Sequence, residues 1–318
     1  MGGPYQERTA LLRVAVAGVI WGSIPVVLRA ADGASAVKVF YRVAFAAVVL
    51  LVYMAAGGRL AEITRLDRRK LTQVALQGVI LTVNWLLFLT ALDMTTVAIA
   101  ELLGYTGPVF VAALAPLVTR ERFDPRIAVP LTLALGGIVV ILVPQGLALS
   151  GGKQLLGALL AFGSALTYAT LLLRSKNLLQ GISGSALMVV EYSVASVILL
   201  PVTIVLYANG NGPSGLRSYV ALAILGTVHT ALAGIIFLGG LRRARTDRAA
   251  VLTYTEPVSA VLFAALLLGE PLTWAAIVGG AMVVLGGLIV SRLEPPSKRE
   301  PIPLEAAGTE SPSEAYTP

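Results

Sequence analysis

Apolar residues in this chain fall in long runs separated by short polar segments, with no stripe of the kind a surface helix shows. Ten runs stand out, over residues 12–30, 36–57, 71–92, 95–119, 126–144, 155–173, 185–207, 219–241, 248–268 and 273–291. A helix rises about 1.5 Å per residue, so about 20 apolar residues cross a hydrocarbon core about 30 Å thick. Each run is of that order, and Gly and Pro inside such runs are tolerated better in spanning helices than in soluble ones. The prediction is an all-α integral membrane protein with ten transmembrane helices. The first run follows Arg8 and Arg13, as a secretory signal would. Its length, Trp21 and Pro25, and the nine runs after it mark it as a retained span.

The polar segments give the orientation. Lys and Arg favour the cytoplasmic side of short loops. Placing the N-terminus inside puts Arg8, Arg13, Arg59, Arg65, Arg68, Arg69, Lys70, Arg120, Arg122, Arg126, Arg174, Lys176, Arg242, Arg243, Arg245, Arg248, Arg292, Lys298 and Arg299 on that side. Only Arg29, Lys38, Lys153 and Arg217 fall outside, and Arg42 is left within a span. The expectation is a multi-pass protein of the plasma (inner) membrane with both termini cytoplasmic. Residues 1–11 form the cytoplasmic N-terminus, and the Pro-, Ser- and Glu-rich residues 292–318 read as a disordered cytoplasmic tail.

One stretch is written twice. Tyr105-Thr106-Gly107-Pro108-Val109, an apolar run and Glu121 return as Tyr254-Thr255-Glu256-Pro257-Val258, another run and Glu270, each landmark displaced by 149 residues. Seven of the 17 positions are identical, and the Tyr-Thr-x-Pro-Val head and closing Glu are the matches that apolar composition does not inflate. The chain therefore divides into two related halves, residues 12–144 and 155–291, joined by an external linker over 145–154. Five spans per half is an odd number, so the second half enters the membrane from the opposite side. Two inverted five-helix repeats are expected, with the Glu121 segment cytoplasmic and the Glu270 segment external. Inverted halves around a central site are a recurrent plan for secondary transporters.

Composition narrows the function classes. The chain is 57% hydrophobic and 13% charged, against roughly 25% charged in soluble domains. With no Cys there is neither a disulfide framework nor a thiol nucleophile, and a single histidine, His229, removes multi-His metal ligation. No metal, cofactor or catalytic residue is expected. The net charge of +7 is dispersed among loops, so nucleic acid is not an expected partner. Those expected are the lipid bilayer, a small-molecule substrate and, as one reading, protons. Oligomeric state is open.

The chain resembles the EamA family of the drug/metabolite transporter superfamily from about Leu11 to Ser291. The resemblance rests on Trp21-Gly22, Tyr41-Arg42, Pro108 to Glu121, Gly136-Gly137, Pro257 to Gly269-Glu270 and Gly286-Gly287. In the sixth span the family's small aromatic pair is present only as Tyr168-Ala169. The resemblance implies a membrane carrier of small metabolites, often an exporter of amino acids or related compounds.

Charges inside spans are the sharpest candidates for chemistry, because each costs about 2.5–3.5 kcal/mol at the centre of an inserted helix. They are Arg42, Glu101, Glu191 and Glu256. The 149-residue displacement maps Arg42 onto Glu191, but inversion puts those two near opposite faces. Arg42 and Glu101 each lie roughly 9 Å inside the outer end of their helices, so they are expected to pair, in an outer gate or around a zwitterionic substrate. The alternative is that Arg42 snorkels to the interface and anchors its helix. Glu191 and Glu256 fall in the cytoplasmic half with no cation deep enough to neutralise both, so one is expected to stay protonated. Glu256, with His229 near the midplane, could exchange a proton for substrate; alternatively Glu256 is held beside the break at Pro257 and His229 is a packing residue.

Pro108 and Pro257 each free a carbonyl one turn back, so the fourth and ninth helices should kink. Tyr105 and Glu101 share the Pro108 face, and Tyr254 takes the equivalent place in the ninth. Gln77, Asn84 and Trp85 in the third span, and Trp21 in the first, could add donors and stacking to the same cavity, or could be packing residues. Glu121 and Glu270 are expected to cap the next helix or bind loop amides. Gly136-Gly137, Gly279-Gly280 and Gly286-Gly287 permit close helix packing.

The function expected is secondary active transport by alternating access around a midplane cavity, as an exporter of small metabolites such as amino acids, either coupled to protons or not. The competing classes are an intramembrane lipid-modifying enzyme and a non-transporting membrane subunit. The first lacks a carboxylate cluster, metal ligands or a sizeable loop, and the second has no need of inverted halves.

Overall fold

A computed structural model describes residues 4–119, 121, 123–147 and 151–293. Arg120, Arg122, Lys298, Arg299 and the tail beyond Leu293 lie outside the described residues. Among the described residues ten helices are long and apolar enough to cross a membrane: α1 (Tyr5–Leu28), α2 (Ser35–Ala56), α3 (Arg68–Met94), α4 (Val97–Val118), α5 (Pro125–Leu142), α6 (Gly152–Leu178), α7 (Gly184–Asn211), α8 (Gly215–Leu241), α9 (Thr246–Leu268) and α10 (Trp274–Arg292). Large apolar side chains such as Leu117, Val197, Leu266 and Leu267 stand exposed along them. Such surface is stable only against hydrocarbon. The chain is a multi-pass membrane protein.

Local chemistry breaks three of these helices. In α4 the segments Val97–Gly104 and Gly107–Val118 are separated at Tyr105-Thr106, just ahead of Pro108. In α9 the segments Thr246–Leu252 and Thr255–Leu268 are separated at Thr253-Tyr254, just ahead of Pro257. Proline has no N–H to donate and its ring crowds the carbonyl one turn back, so the ladder stops in the same place twice. In α1 the break falls at Ser23, ahead of Pro25. A different irregularity lies in α8, where Leu225–Leu232 widens by one residue per turn. Wide turns of this kind recur at functional sites.

The helices pack in pairs that recur when five is added to each number. Helix α1 lies on α8 and α6 on α3; α1 lies on α9 and α6 on α4; α3 lies on α7 and α8 on α2. Helices α2 and α7 pack on each other, as do α5 and α10. The last pair is close because Gly137 and Gly279 put backbone against backbone, and a Cβ on Gly286 would lie 2.7 Å from the Pro130 carbonyl oxygen.

One pairing has no counterpart. The first segment of α9, all of it buried, packs on the second segment of α4. The first segment of α4 makes no comparable contact with the second segment of α9, in which only Pro257 and Ser259 are buried. Arg248, in the buried segment, lies in ion-pair contact with Glu7 at 3.3 Å and donates to the Leu293 carbonyl at 2.6 Å, so the closed end is the face on which both ends of the described chain lie. A cleft is left between α4 and α9 toward the other face.

Candidate functional site

The two helix breaks meet. Pro108 donates nothing, and the amide of Val109 turns to Thr106 O at 3.0 Å, which leaves the Tyr105 carbonyl without its helical partner. The Tyr254 hydroxyl donates to that carbonyl at 2.6 Å, and the two tyrosine rings lie 6.3 Å apart. These residues are 149 apart, each the other's counterpart in the repeated stretch. Glu101 lies one turn before Tyr105, and Glu256 lies within the first turn after the α9 break. Glu256 is within electrostatic reach of Glu101 and Arg42, and Tyr105 is within reach of both carboxyls and of Tyr168. Arg42, Glu101, Tyr105, Tyr168 and Glu256 are half-buried although they lie inside spans. They gather around the two breaks where α4 and α9 meet.

Arg42 is fixed from two sides. Its Nε donates to the Thr230 hydroxyl at 2.6 Å, and its guanidinium lies over the Trp85 ring, 5.3 Å from the centroid. Thr230 can hold it because the widened turn lets its own hydroxyl donate to Leu225 O at 2.8 Å while accepting from Arg42. A cation–π contact adds about 0.5–2 kcal/mol depending on desolvation. Tyr192 is in electrostatic reach on the α7 side. The expected Arg42–Glu101 ion pair is not formed: among the described residues neither takes part in an ion pair within 4.0 Å. The guanidinium is drawn aside onto Thr230 and Trp85, and its remaining donors have no carboxylate partner.

The other sequence candidates separate into a wall and a scaffold. Trp21 donates from Nε1 to the His229 carbonyl at 2.8 Å and packs on Phe237. His229 is buried with Nε2 at 2.8 Å from Ser23 Oγ, which joins α8 to α1, and Nδ1 at 3.4 Å from Ile224 O within α8, so both ring nitrogens have partners. Glu191 is buried on α7 beside Tyr192, away from Arg42. Gln77 and Asn84 face α6, not the cleft. Gln77 Nε2 donates to Leu171 O and Ser175 Oγ, both at 2.8 Å, and its Oε1 accepts from Arg174 at 3.1 Å. Asn84 Nδ2 donates to Ser164 O at 2.6 Å and Thr167 Oγ1 at 2.9 Å. Their donors are taken up by helix packing, since a buried amide needs partners wherever its helix face falls. Sequence reasoning missed Thr230 and Tyr192. The cluster Thr227, His229 and Thr230 in an otherwise apolar run was the available signal for Thr230.

The loops hold the charged ends in place. Glu121 accepts the Thr246 amide at 2.9 Å and the Thr246 hydroxyl at 2.9 Å, so it caps α9 and not the helix that follows it. Asp124 takes that second role, accepting the Arg126 amide, and the Arg126 guanidinium holds its carboxyl below the usual range. Across the molecule the Asp32 carboxylate accepts from the Ser214 hydroxyl and amide, while the Asp32 amide donates to Ser218 Oγ at 3.1 Å; the two serines, the Ser214 hydroxyl first, lower the carboxyl pKa. Glu270 pairs with Arg29. No group of three or more potential metal ligands occurs among the described residues.

Comparison with known proteins bears on the whole chain. Residues 8–143 and 155–292 match the EamA-like transporter family. A protein of Archaeoglobus fulgidus named as an uncharacterized transporter is 28% identical over 279 residues, covering 88% of this chain and 95% of that one. The inner membrane transporter YicL of Salmonella typhimurium, also named as uncharacterized, is 24% identical over 298 residues, covering 89% and 95%. A solved crystal structure superimposes with a TM-score of 0.77 over 88% of this chain and 96% of that chain, at 19% identity, a likeness of fold alone.

Proposed function

The chain belongs to the EamA-like transporter family, and from that premise we propose that it is a secondary active transporter working by alternating access between two inverted five-helix halves. The repeated stretch, the helix pairings that recur with five added, and the meeting of Tyr105 with Tyr254 support the inverted plan. With both termini cytoplasmic, as the Lys and Arg distribution favours, the closed face is the inner one and the cleft opens outward.

The observation that carries the reading is Arg42. A guanidinium held inside a span by Thr230 and Trp85, with donors left over and no carboxylate on it, suits a substrate that brings its own anionic group. Glu101 and Glu256 on the facing helices suit the cationic end. A small zwitterionic metabolite such as an amino acid fits both, with export as the physiological direction. Glu256 is also placed to exchange a proton for the substrate amine, since it sits at the helix break in the cleft. His229, bonded through both nitrogens, serves α1–α8 packing and is the weaker candidate for that role.

Counterflow in proteoliposomes tests this. Trans-stimulated exchange is expected from a carrier, and neither a channel nor an enzyme would show it. Truncating one partner of a desolvated charge pair costs 2–5 kcal/mol, so Arg42→Gln should lower exchange by about 30-fold or more, with Arg42→Lys retaining part of it. Arg42→Gln exchanging at the parent rate would sink the assignment. Glu256→Gln should weaken substrate exchange and abolish the response of the remaining exchange to an imposed pH gradient.

A further inference from the structure

Glu121 and Glu270 close the two copies of the repeated stretch, 149 residues apart, and their surroundings differ in kind. Glu121 holds the first residue of α9 by both amide and hydroxyl, and Lys176, in the last turn of α6, lies 3.7 Å from it. Lys176 in turn donates to the Leu241 carbonyl at 2.9 Å and to the Ala244 carbonyl, which fixes the end of α8. The side chains of Lys176 and Glu121 are 11% and 13% exposed. Here a residue of the first half fastens three helices of the second.

The same parts stand at the other face. Arg29 ends α1 as Lys176 ends α6, and it pairs with Glu270. Val97 begins α4 as Thr246 begins α9, again 149 residues earlier. The third contact is the one missing: among the described residues no side chain bonds the Val97 amide, and Arg29 and Glu270 are 58% and 47% exposed. The Thr96 hydroxyl caps only the Ile99 amide, at 3.3 Å. The first amides of α4 are unfilled donors at a helix N-terminus, of the kind that favours a carboxylate.

We infer that Glu121 and Glu270 are a matched pair of latches that set which face the site opens to. In the state seen here Glu121 grips the start of α9 and shuts the termini face, while Glu270 holds only Arg29 and the other face is open. In the alternate state Glu121 releases Thr246 and Glu270 grips the Val97 amide, drawing the first segment of α4 against the second segment of α9. Each carboxylate bonds an amide in one state only, which is the condition for shifting a two-state equilibrium. This rests on the alternating-access reading.

The absence of native cysteine makes the test clean. Ala115 and Ala264 are counterparts in α4 and α9; Ala115 is buried at the closed end and Ala264 is half-buried at the open end. Single cysteines at the two positions report on the two faces when the full chain, in nanodiscs, is titrated with a bulky maleimide. Glu121→Gln should speed modification of Ala115→Cys and slow that of Ala264→Cys, by about tenfold for a difference of about 1.4 kcal/mol between states. Glu270→Gln should move both rates the opposite way, and the double substitution should return them toward the parent values. Both single variants shifting the reporters in the same direction, or neither shifting them, would overturn the latch. Should Glu121→Gln fail to fold, Glu121→Asp and the Glu270→Gln arm still decide. Because the reporters read conformation and counterflow reads transport, opposite reporter shifts without counterflow would defeat the carrier reading and leave the latch standing.

Discussion

At one face α4 and α9 lie together, and at the other they stand apart, although the sequence supplies nearly the same parts to both ends. In the buried first segment of α9, Arg248 reaches Glu7, Asp124 and the Leu293 carbonyl. Its counterpart in α4 is Ile99, which contributes only apolar bulk. The closed face is thus fastened by charge, and the open face has, among the described residues, a single exposed ion pair and a few hydrogen bonds. Exposed pairs contribute about 0–1 kcal/mol, and breaking a buried one costs about 3–5. The difference identifies the more firmly fastened face.

The largest effect is expected at Arg248. Arg248→Met strands the Glu7 carboxylate, leaves Asp124 to Arg126, and should lower thermal stability in detergent by about 3–5 kcal/mol. Ile99→Met, a volume-conserving change at the matching position, should cost less than about 1.5 kcal/mol. Equal losses would remove the distinction between the faces. Next comes the α3–α6 seam: Gln77→Leu takes one partner each from Leu171 O, Ser175 Oγ and Arg174 Nε and should cost about 1–3 kcal/mol, with substrate KM unchanged in counterflow. A raised KM with unchanged stability would return Gln77 to the cavity wall.

Tyr254→Phe removes one hydrogen bond where the two copies meet, and should cost about 0.5–1.5 kcal/mol in unfolding experiments. The smallest effect belongs to the open face. The bonds to Asp32 depress its pKa, so the stability they give is present above the unfolded-state value and is lost as pH falls through it toward the folded one. Thermal melts should show Asp32→Asn slightly less stable than the parent near pH 7, with the gap narrowing as the parent loses this contribution between about pH 6 and pH 3. An unchanged acid profile would count against that role for the Asp32 contacts.

Much of the fold was legible because its signals are one-dimensional. Run length against bilayer thickness finds the ten spans, and Pro108 and Pro257 mark where the ladder stops whatever surrounds them. The site was legible only as a set of residue types. Gln77 and Asn84 look the same in sequence whether their helix face meets a cavity or a neighbour, and only the rotation of α3 against α6 decides. Arg42 was found as a buried charge, but its partner depends on a wide turn in α8 that brings Thr230 to it. Which face is closed depends on long-range contacts such as Arg248 with Glu7 and Leu293, which no local pattern announces.

The paired breaks have an electrical consequence. At Tyr105 and at Tyr254 the carbonyl end of one short helix faces the amide end of the next, so each break places partial negative and partial positive charge side by side. Successive spans alternate in direction, so α4 and α9 run antiparallel and present these poles in opposite order across the membrane normal. A lone ion of either sign sees fields that largely cancel. A molecule with separated charges is instead turned to a preferred angle, and turning it end for end has an electrostatic cost before any side chain touches it.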